Sequence, residues 1–265
     1  MVRVPEKNVI AAFYHKLMPE ALAVPRGFLA NDAPGFQNGV IAPVFLTRPP
    51  RALDLKQFCH WYAQRRDQSP HSEPRAYVDI LLGRGAHDQS EALALVSGLG
   101  WERTREKSFL VWRRPVAAEE GCWRSSTHRL GTDRDTDAAF WESMANFSRA
   151  SATYQRRFER FLRSLEAEVW VTVLRSPRGR LCAAGLSLVA DDSALLLCGS
   201  VMPSYRGRGL WIRLVAARQR ATAGRGAKAW LASSMNPLLM GKAPQVIPAV
   251  EYRAPRAARF RHELN

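Results

Sequence analysis

Val201-Met202-Pro203-Ser204-Tyr205-Arg206-Gly207-Arg208-Gly209-Leu210 is the stretch on which the fold of this chain turns. An apolar run, Ala194 to Val201, precedes it, and an amphipathic run, Leu210 to Ala223, follows and stops at Gly224-Arg225-Gly226. The spacing predicts a strand, a tight turn and a helix. Glycine lets the backbone take positive φ and come close to a ligand. The first N–H groups of a helix have no intrahelical partner, and the macrodipole places partial positive charge there. A glycine-rich turn at such a helix start is therefore suited to an anion, a pyrophosphate above all. Arg206 and Arg208 can add charge-assisted hydrogen bonds.

Working outward, Val169 to Leu174 and Leu181 to Val189 flank Ser176-Pro177-Arg178-Gly179, a hairpin signal. Asp191-Asp192-Ser193 makes a second turn before Ala194 to Val201, so three successive antiparallel strands are expected. Two helical stretches, about Thr136 to Phe147 and Tyr154 to Ala167, precede them, and Ala229 to Ser233 is a further strand after the long helix. An antiparallel meander followed by a crossover helix is an α+β or mixed α/β layout.

Arg113-Arg114-Pro115-Val116-Ala117-Ala118-Glu119-Glu120-Gly121 reads as a linker. Residues 1–116 then form a smaller α/β N-terminal lobe and 121–265 a second domain. In the first lobe, Glu6 to Leu22, Leu53 to Gln64 and Gln89 to Ser97 have helical spacing. Gly39 to Leu46, Ala76 to Leu82 and Lys107 to Trp112 are strand-like.

The composition bounds the partners. Lys+Arg number 39 against 24 Asp+Glu, a formal charge of +15. Such a surplus attracts anions: a phosphorylated cofactor, nucleic acid or an acidic surface. Nucleic acid rests on that charge alone, without a recognised binding motif. No apolar run approaches the roughly 18 to 20 residues needed to span a bilayer, and the N-terminus does not read as a secretory signal. Cys59, Cys122, Cys182 and Cys198 lie far apart without a C-x-x-C pair, and no histidines stand at metal-ligand spacing. Buried free thiols in a reducing cytoplasm, and no metal site, are the expectation.

Val201-x-Pro203-x-Tyr205-Arg206-Gly207-x-Gly209-Leu210 resembles the coenzyme A motif of the GNAT acetyltransferase superfamily, Arg/Gln-x-x-Gly-x-Gly/Ala. Arg206 and Gly209 match its first two anchors. The third falls on Trp211, which either lines the cofactor entrance or crowds the turn. The resemblance covers about residues 122 to 240 and is strongest over 194 to 236. It implies a GNAT-like central mixed sheet flanked by helices, with Val201, Met202, Arg206, Gly207, Arg208, Gly209, Leu210, Trp211 and Asn236 binding acetyl-CoA as acyl donor. It also implies that the end of the preceding strand, Gly199 to Met202, holds the thioester, and that the acceptor is an amine in a small molecule or a peptide. The first half, from Gly35-Phe36-Gln37-Asn38-Gly39-Val40 to Gly98-Leu99-Gly100-Trp101, is similar to the degenerate first repeat of tandem GNAT proteins.

The family commonly has a tyrosine that protonates the leaving thiolate. Tyr252 is the only tyrosine after the motif, although its position departs from the family pattern. A base for the amine is not apparent. Asp191 and Asp192 read as turn formers, Cys198 and Ser200 lack an activating base, and His128 reads as non-catalytic. Two functions follow: transfer of an acetyl group to a primary amine by direct attack, or a non-catalytic GNAT-like module that binds CoA or serves as a scaffold.

Overall fold

The hairpin predicted around Ser176–Arg180 organises the second half of the chain. In the computed structural model, strands β7 (Glu168–Arg175) and β8 (Leu181–Ala190) pair antiparallel from Glu168↔Val189 onward. Gly179, at φ 77°, closes the turn with its N–H on the Ser176 carbonyl at 2.9 Å. The structure describes residues 100–118, 121–148 and 167–234. It also describes the backbone of strand segments at 22–24, 27–29, 44–46, 77–81 and 245–253, and scattered residues within 94–98, 155–163 and at 243.

By packing, the chain divides into two units: residues 110–246, and residues 1–109 together with 247–265. In the 110–246 unit the strand order is β10 (Ala229–Ser234), β9 (Ser193–Val201), β8, β7, β6 (Arg124–Arg129). The β6–β7, β7–β8 and β8–β9 pairs are antiparallel and β9–β10 is parallel. β7 and β8 are apolar nearly throughout and buried at successive residues, as strands covered on both faces must be. The covers are helix α1 (Arg134–Ser148) and helix α2 (Leu210–Ala223), both packed on β7, β8 and β9. Asp133 starts α1 by accepting the Thr136 N–H at 3.0 Å. Of the helix expected over 154–167, residues 155, 156, 158, 159, 162 and 163 are described as helical, while Ala167 is a bend.

The core of this unit follows from that layering. Leu110, Trp112, Trp170, Val189, Leu196, Val215 and Trp230 form one buried cluster. Leu174, Ala183, Leu214 and Ala217 form a second, beneath α2. Each such large apolar side chain contributes about 1.5–3 kcal/mol when taken from water. The mixed α/β architecture is the one the meander and crossover helix implied.

The other unit is described by itself. β1 (Leu22–Val24), β2 (Gly27–Leu29) and β3 (Val44–Leu46) pair antiparallel in turn; β3 runs parallel to β4 (Tyr77–Leu81), and β4 antiparallel to β11 (Gln245–Arg253). The division thus departs from the sequence boundary at 116/121. It falls at 109/110, inside β5 (Glu102–Trp112). The C-terminal segment belongs with the first unit because the backbone ladder from Ala249↔Leu81 to Arg253↔Tyr77 ties it to β4. The helices expected at 6–22 and 53–64 lie outside the described residues. Of the helix expected over 89–97, Ala94 and Ser97 are described as helical, as is Gly98 just beyond it.

Candidate functional site

β9 and β10 begin as a parallel pair, Ser193↔Ala229 to Leu195↔Leu231, and the pairing ends there. Both strands continue, β9 to Val201 and β10 to Ser234. From Leu196 on, therefore, β9 has no ladder partner on its β10 side among the described residues. Along this stretch the carbonyls of Leu197 and Val201 accept from the side chains of Arg218 and Arg206. On its other side, β9 breaks register with β8: Leu197 pairs with Leu186, but Ser200 pairs with Ala184. Two residues, Cys198 and Gly199, thus oppose Gly185 alone. This is a β-bulge, and Cys198 adopts φ 49° within it. A positive φ is uncommon for a residue with a Cβ and marks a locally strained chain.

The glycine-rich turn follows directly. The Met202 N–H binds the Cys182 carbonyl at 2.8 Å, and Pro203–Tyr205 form a single 3-10 turn. Gly207 (φ 75°) and Gly209 (φ 69°) both occupy the left-handed region, which glycine enters without penalty. A Cβ at either would meet nothing within 4 Å, so both face open space. Gly209 is the N-cap of α2; no side chain caps that end, and its first turn has no acidic residue. The helix start is thus an uncompensated positive pole.

Arg206 points back to the end of β9, its Nε 3.3 Å from the Val201 carbonyl. Arg208 lies over the Tyr205 ring at 5.6 Å from its centroid. Tyr205 in turn meets Trp123 edge to face at 6.0 Å. Beside them a cleft of about 340 Å³ is lined by Trp123, Arg124, Ser125, Arg213 and Arg220. The setting of the turn is basic and aromatic, which favours a phosphorylated ligand.

The structure thus brings Val201, Met202, Arg206, Gly207, Arg208, Gly209 and Leu210 together. Leu210 is buried and anchors the helix start to the core. Trp211 turns inward: it packs against the large core cluster, with its Nε1 3.8 Å from the Cβ position of Gly199. Asn236 lies outside the described residues. Tyr252 sits on β11, in register with Val78, and so belongs to the other packing unit. His128 pairs with Asp133 at 3.4 Å, next to the α1 cap.

Two features escaped the sequence, the bulge and a buried arginine beneath it. Arg218, 2% exposed, donates from Nη2 to the Leu197 carbonyl at 2.8 Å and from Nε to the Ser187 hydroxyl at 3.3 Å. Signals for both were present, in glycines inside two strands, Gly185 and Gly199, and in an arginine on the same helical stripe as Leu210 and Leu214.

The strand carries little intrinsic reactivity. Burial pushes the Cys198 thiol up to about 11, with Arg218 opposing. The Ser200 hydroxyl is bound to that of Ser143 on α1. At pH 8 only about one Cys198 in a thousand is thiolate, the reactive form. Iodoacetamide followed by peptide mapping at pH 8 should therefore modify exposed Cys122 well before Cys198. Equal rates would show that Cys198 is an available nucleophile. Among the described residues no cluster could hold a metal ion, and no helix is long and apolar enough to cross a membrane.

The fold that carries this turn is similar to that of known solved structures. A GCN5-related N-acetyltransferase from Kribbella flavida superposes with a TM-score of 0.60 at 12% identity, covering 97% of this chain and 98% of that one. This chain has the GNAT fold. A tandem GNAT protein from the clavulanic acid biosynthesis pathway is also similar: TM-score 0.56 and 17% identity, over 86% of this chain and 78% of that one. A GCN5-related N-acetyltransferase from Sphaerobacter thermophilus matches at 0.55 and 17%, over 86% and 76%. No family model and no curated protein matches the sequence. At these identities the GNAT likeness is one of fold.

Proposed function

We propose that the chain is an N-acetyltransferase that uses acetyl-CoA as acyl donor and a primary amine as acceptor. The observation that carries this reading is the splay of β9 from β10 after Leu195, opening onto the uncapped start of α2. The turn Arg206–Leu210 holds the pyrophosphate through the helix N–H groups, and Arg206 and Arg208 add charge. The donor's arm lies along the edge of β9 that is not paired with β10, from Leu196 to Val201. Backbone N–H groups there polarise the thioester carbonyl. The amine attacks that carbon, the C–N bond forms as the C–S bond breaks, and the amine's proton balances the departing thiolate. Holding donor and acceptor in line supplies most of the rate. Asn236 stays in the proposal as a contact to the donor arm.

The lack of an acidic or imidazole base for the amine on β9 favours a second reading, a module that binds CoA without turnover. Cys198 is held protonated, and Ser200 is engaged with Ser143. One experiment separates the two. Thiol release from acetyl-CoA is followed with a panel of amines: small amines, aminoglycosides, peptide N-termini and lysine peptides. Amine-dependent release with an N-acetyl product, seen by mass spectrometry, is the expected result. Binding of acetyl-CoA with no release across the panel would favour the module.

A further inference from the structure

Arg218 is the only buried charged side chain among the described residues. Its partners are neutral: the Leu197 carbonyl and the Ser187 hydroxyl. No carboxylate among the described residues pairs with it. Removing an unpaired ion from water is costly, and an aliphatic residue would fill the same helical stripe without that cost. Burial lowers the guanidinium to about 9, still above neutral pH, so the cation persists.

What the arginine does is visible in its neighbours. A Cβ on Gly185 would lie 3.1 Å from its Nη1, and a Cβ on Gly199 would lie at the same distance. The guanidinium therefore rests on bare backbone of both strands, at the point where two residues of β9 oppose one of β8. Its Nη2 takes the carbonyl of Leu197, the last residue before the bulge. Cys198, at φ 49°, then swings the chain out of register. An arginine on α2 and two glycines on adjacent strands form a matched set around one distortion.

We propose that Arg218 is a positioning residue for the acyl donor: bridging Leu197 and Ser187 above Gly185 and Gly199, it fixes the β9 bulge and so shapes the strand edge that receives the thioester arm. This rests on the donor-site reading above. Arg218 acts through the strand, not on the acyl group.

The test uses the full chain, with Arg218→Met and, as a second variant, Gly199→Ala. The latter keeps the charge but intrudes on the guanidinium, so it carries the test if Arg218→Met fails to fold. The first readout is amide hydrogen exchange. Exchange over residues 196–201 should rise about tenfold or more, the scale of losing charge-assisted hydrogen bonds, while 169–174 stays protected. The second is calorimetric binding of two probes, acetyl-CoA and 3′-phospho-ADP, which is CoA without its pantetheine arm. Affinity for acetyl-CoA should fall about tenfold in the variants while that for 3′-phospho-ADP holds, because the phosphates sit on the turn and not on the bulge. Unchanged exchange over 196–201 would overturn the hold on the bulge. Equal losses for both probes would mean that the variants damage the fold generally and would overturn the positioning role. A wild-type protein that binds neither probe would sink the donor-site reading, and the role in donor positioning with it, while the exchange data would still decide whether Arg218 holds the bulge.

Discussion

Replacing Trp230 with alanine should lower the unfolding free energy by about 3–5 kcal/mol, as for other large aromatic residues removed from cores. Trp230 is 2% exposed and sits on β10 opposite Ala194, within the cluster that also holds Leu110, Trp112, Trp170 and Val215. Its Nε1 donates to the Thr222 hydroxyl on α2 at 2.8 Å, and that hydroxyl donates on to the Arg218 carbonyl at 2.8 Å. One side chain thus locks the crossover helix to the strand from which β9 splays. Truncation removes the ring, leaves a cavity and strips a donor from a buried hydroxyl. Against a typical total of about 5–15 kcal/mol, that is a large fraction. Urea denaturation followed by far-ultraviolet circular dichroism should show a lower midpoint at an unchanged slope. Trp230→Phe keeps most of the volume and should lose only about 1 kcal/mol, the share of the hydrogen bond. A loss under about 1 kcal/mol in Trp230→Ala would mean that the cluster is not packed as described.

Gly209→Trp is expected to act on binding more than on folding. Gly209 holds φ 69°, where an L residue costs about 1–2 kcal/mol. Nothing lies within 4 Å of its Cβ position, so the protein has room for a side chain and stability falls by little more than that backbone cost. The indole instead occupies the space over the first N–H groups of α2, the site proposed for the donor's pyrophosphate. Stabilisation by acetyl-CoA, about 2.7 kcal/mol at a hundredfold excess over the dissociation constant, should disappear. Gly209→Asn is the control, since asparagine tolerates the left-handed region; it should recover much of the backbone cost and retain partial binding. If Gly209→Trp keeps the full ligand-induced shift in melting temperature, the ligand does not sit at this turn.

The turn was legible in the sequence because its chemistry is local. Gly207 and Gly209 are glycines because of their φ, and the apolar stripe from Leu210 gives the helix, whose observed span, Leu210–Ala223, is the expected one. The hairpin at Ser176–Gly179 and the continuous apolar run of β8 were readable for the same reason. What stayed hidden depends on pairing between distant segments. Nothing near Leu195 announces that its ladder with β10 stops there, because strand pairing is set by the register of Ser193↔Ala229 across a whole helix. The return of β11 to β4 is equally non-local, and it carried Tyr252 into a unit where sequence order did not put it. Trp211 shows a third kind of limit. Its place in the motif left open whether it lines the cofactor entrance or crowds the turn; in the structure it is partly buried and packs against the core cluster beside Gly199.

The most direct measurement is the melting temperature of the unaltered protein with and without acetyl-CoA. The uncapped start of α2 and the edge of β9 not paired with β10 are expected to bind the donor in the folded state alone. A clear upward shift, growing with ligand concentration as mass action requires, is the expected outcome. No shift at millimolar acetyl-CoA would contradict the donor site.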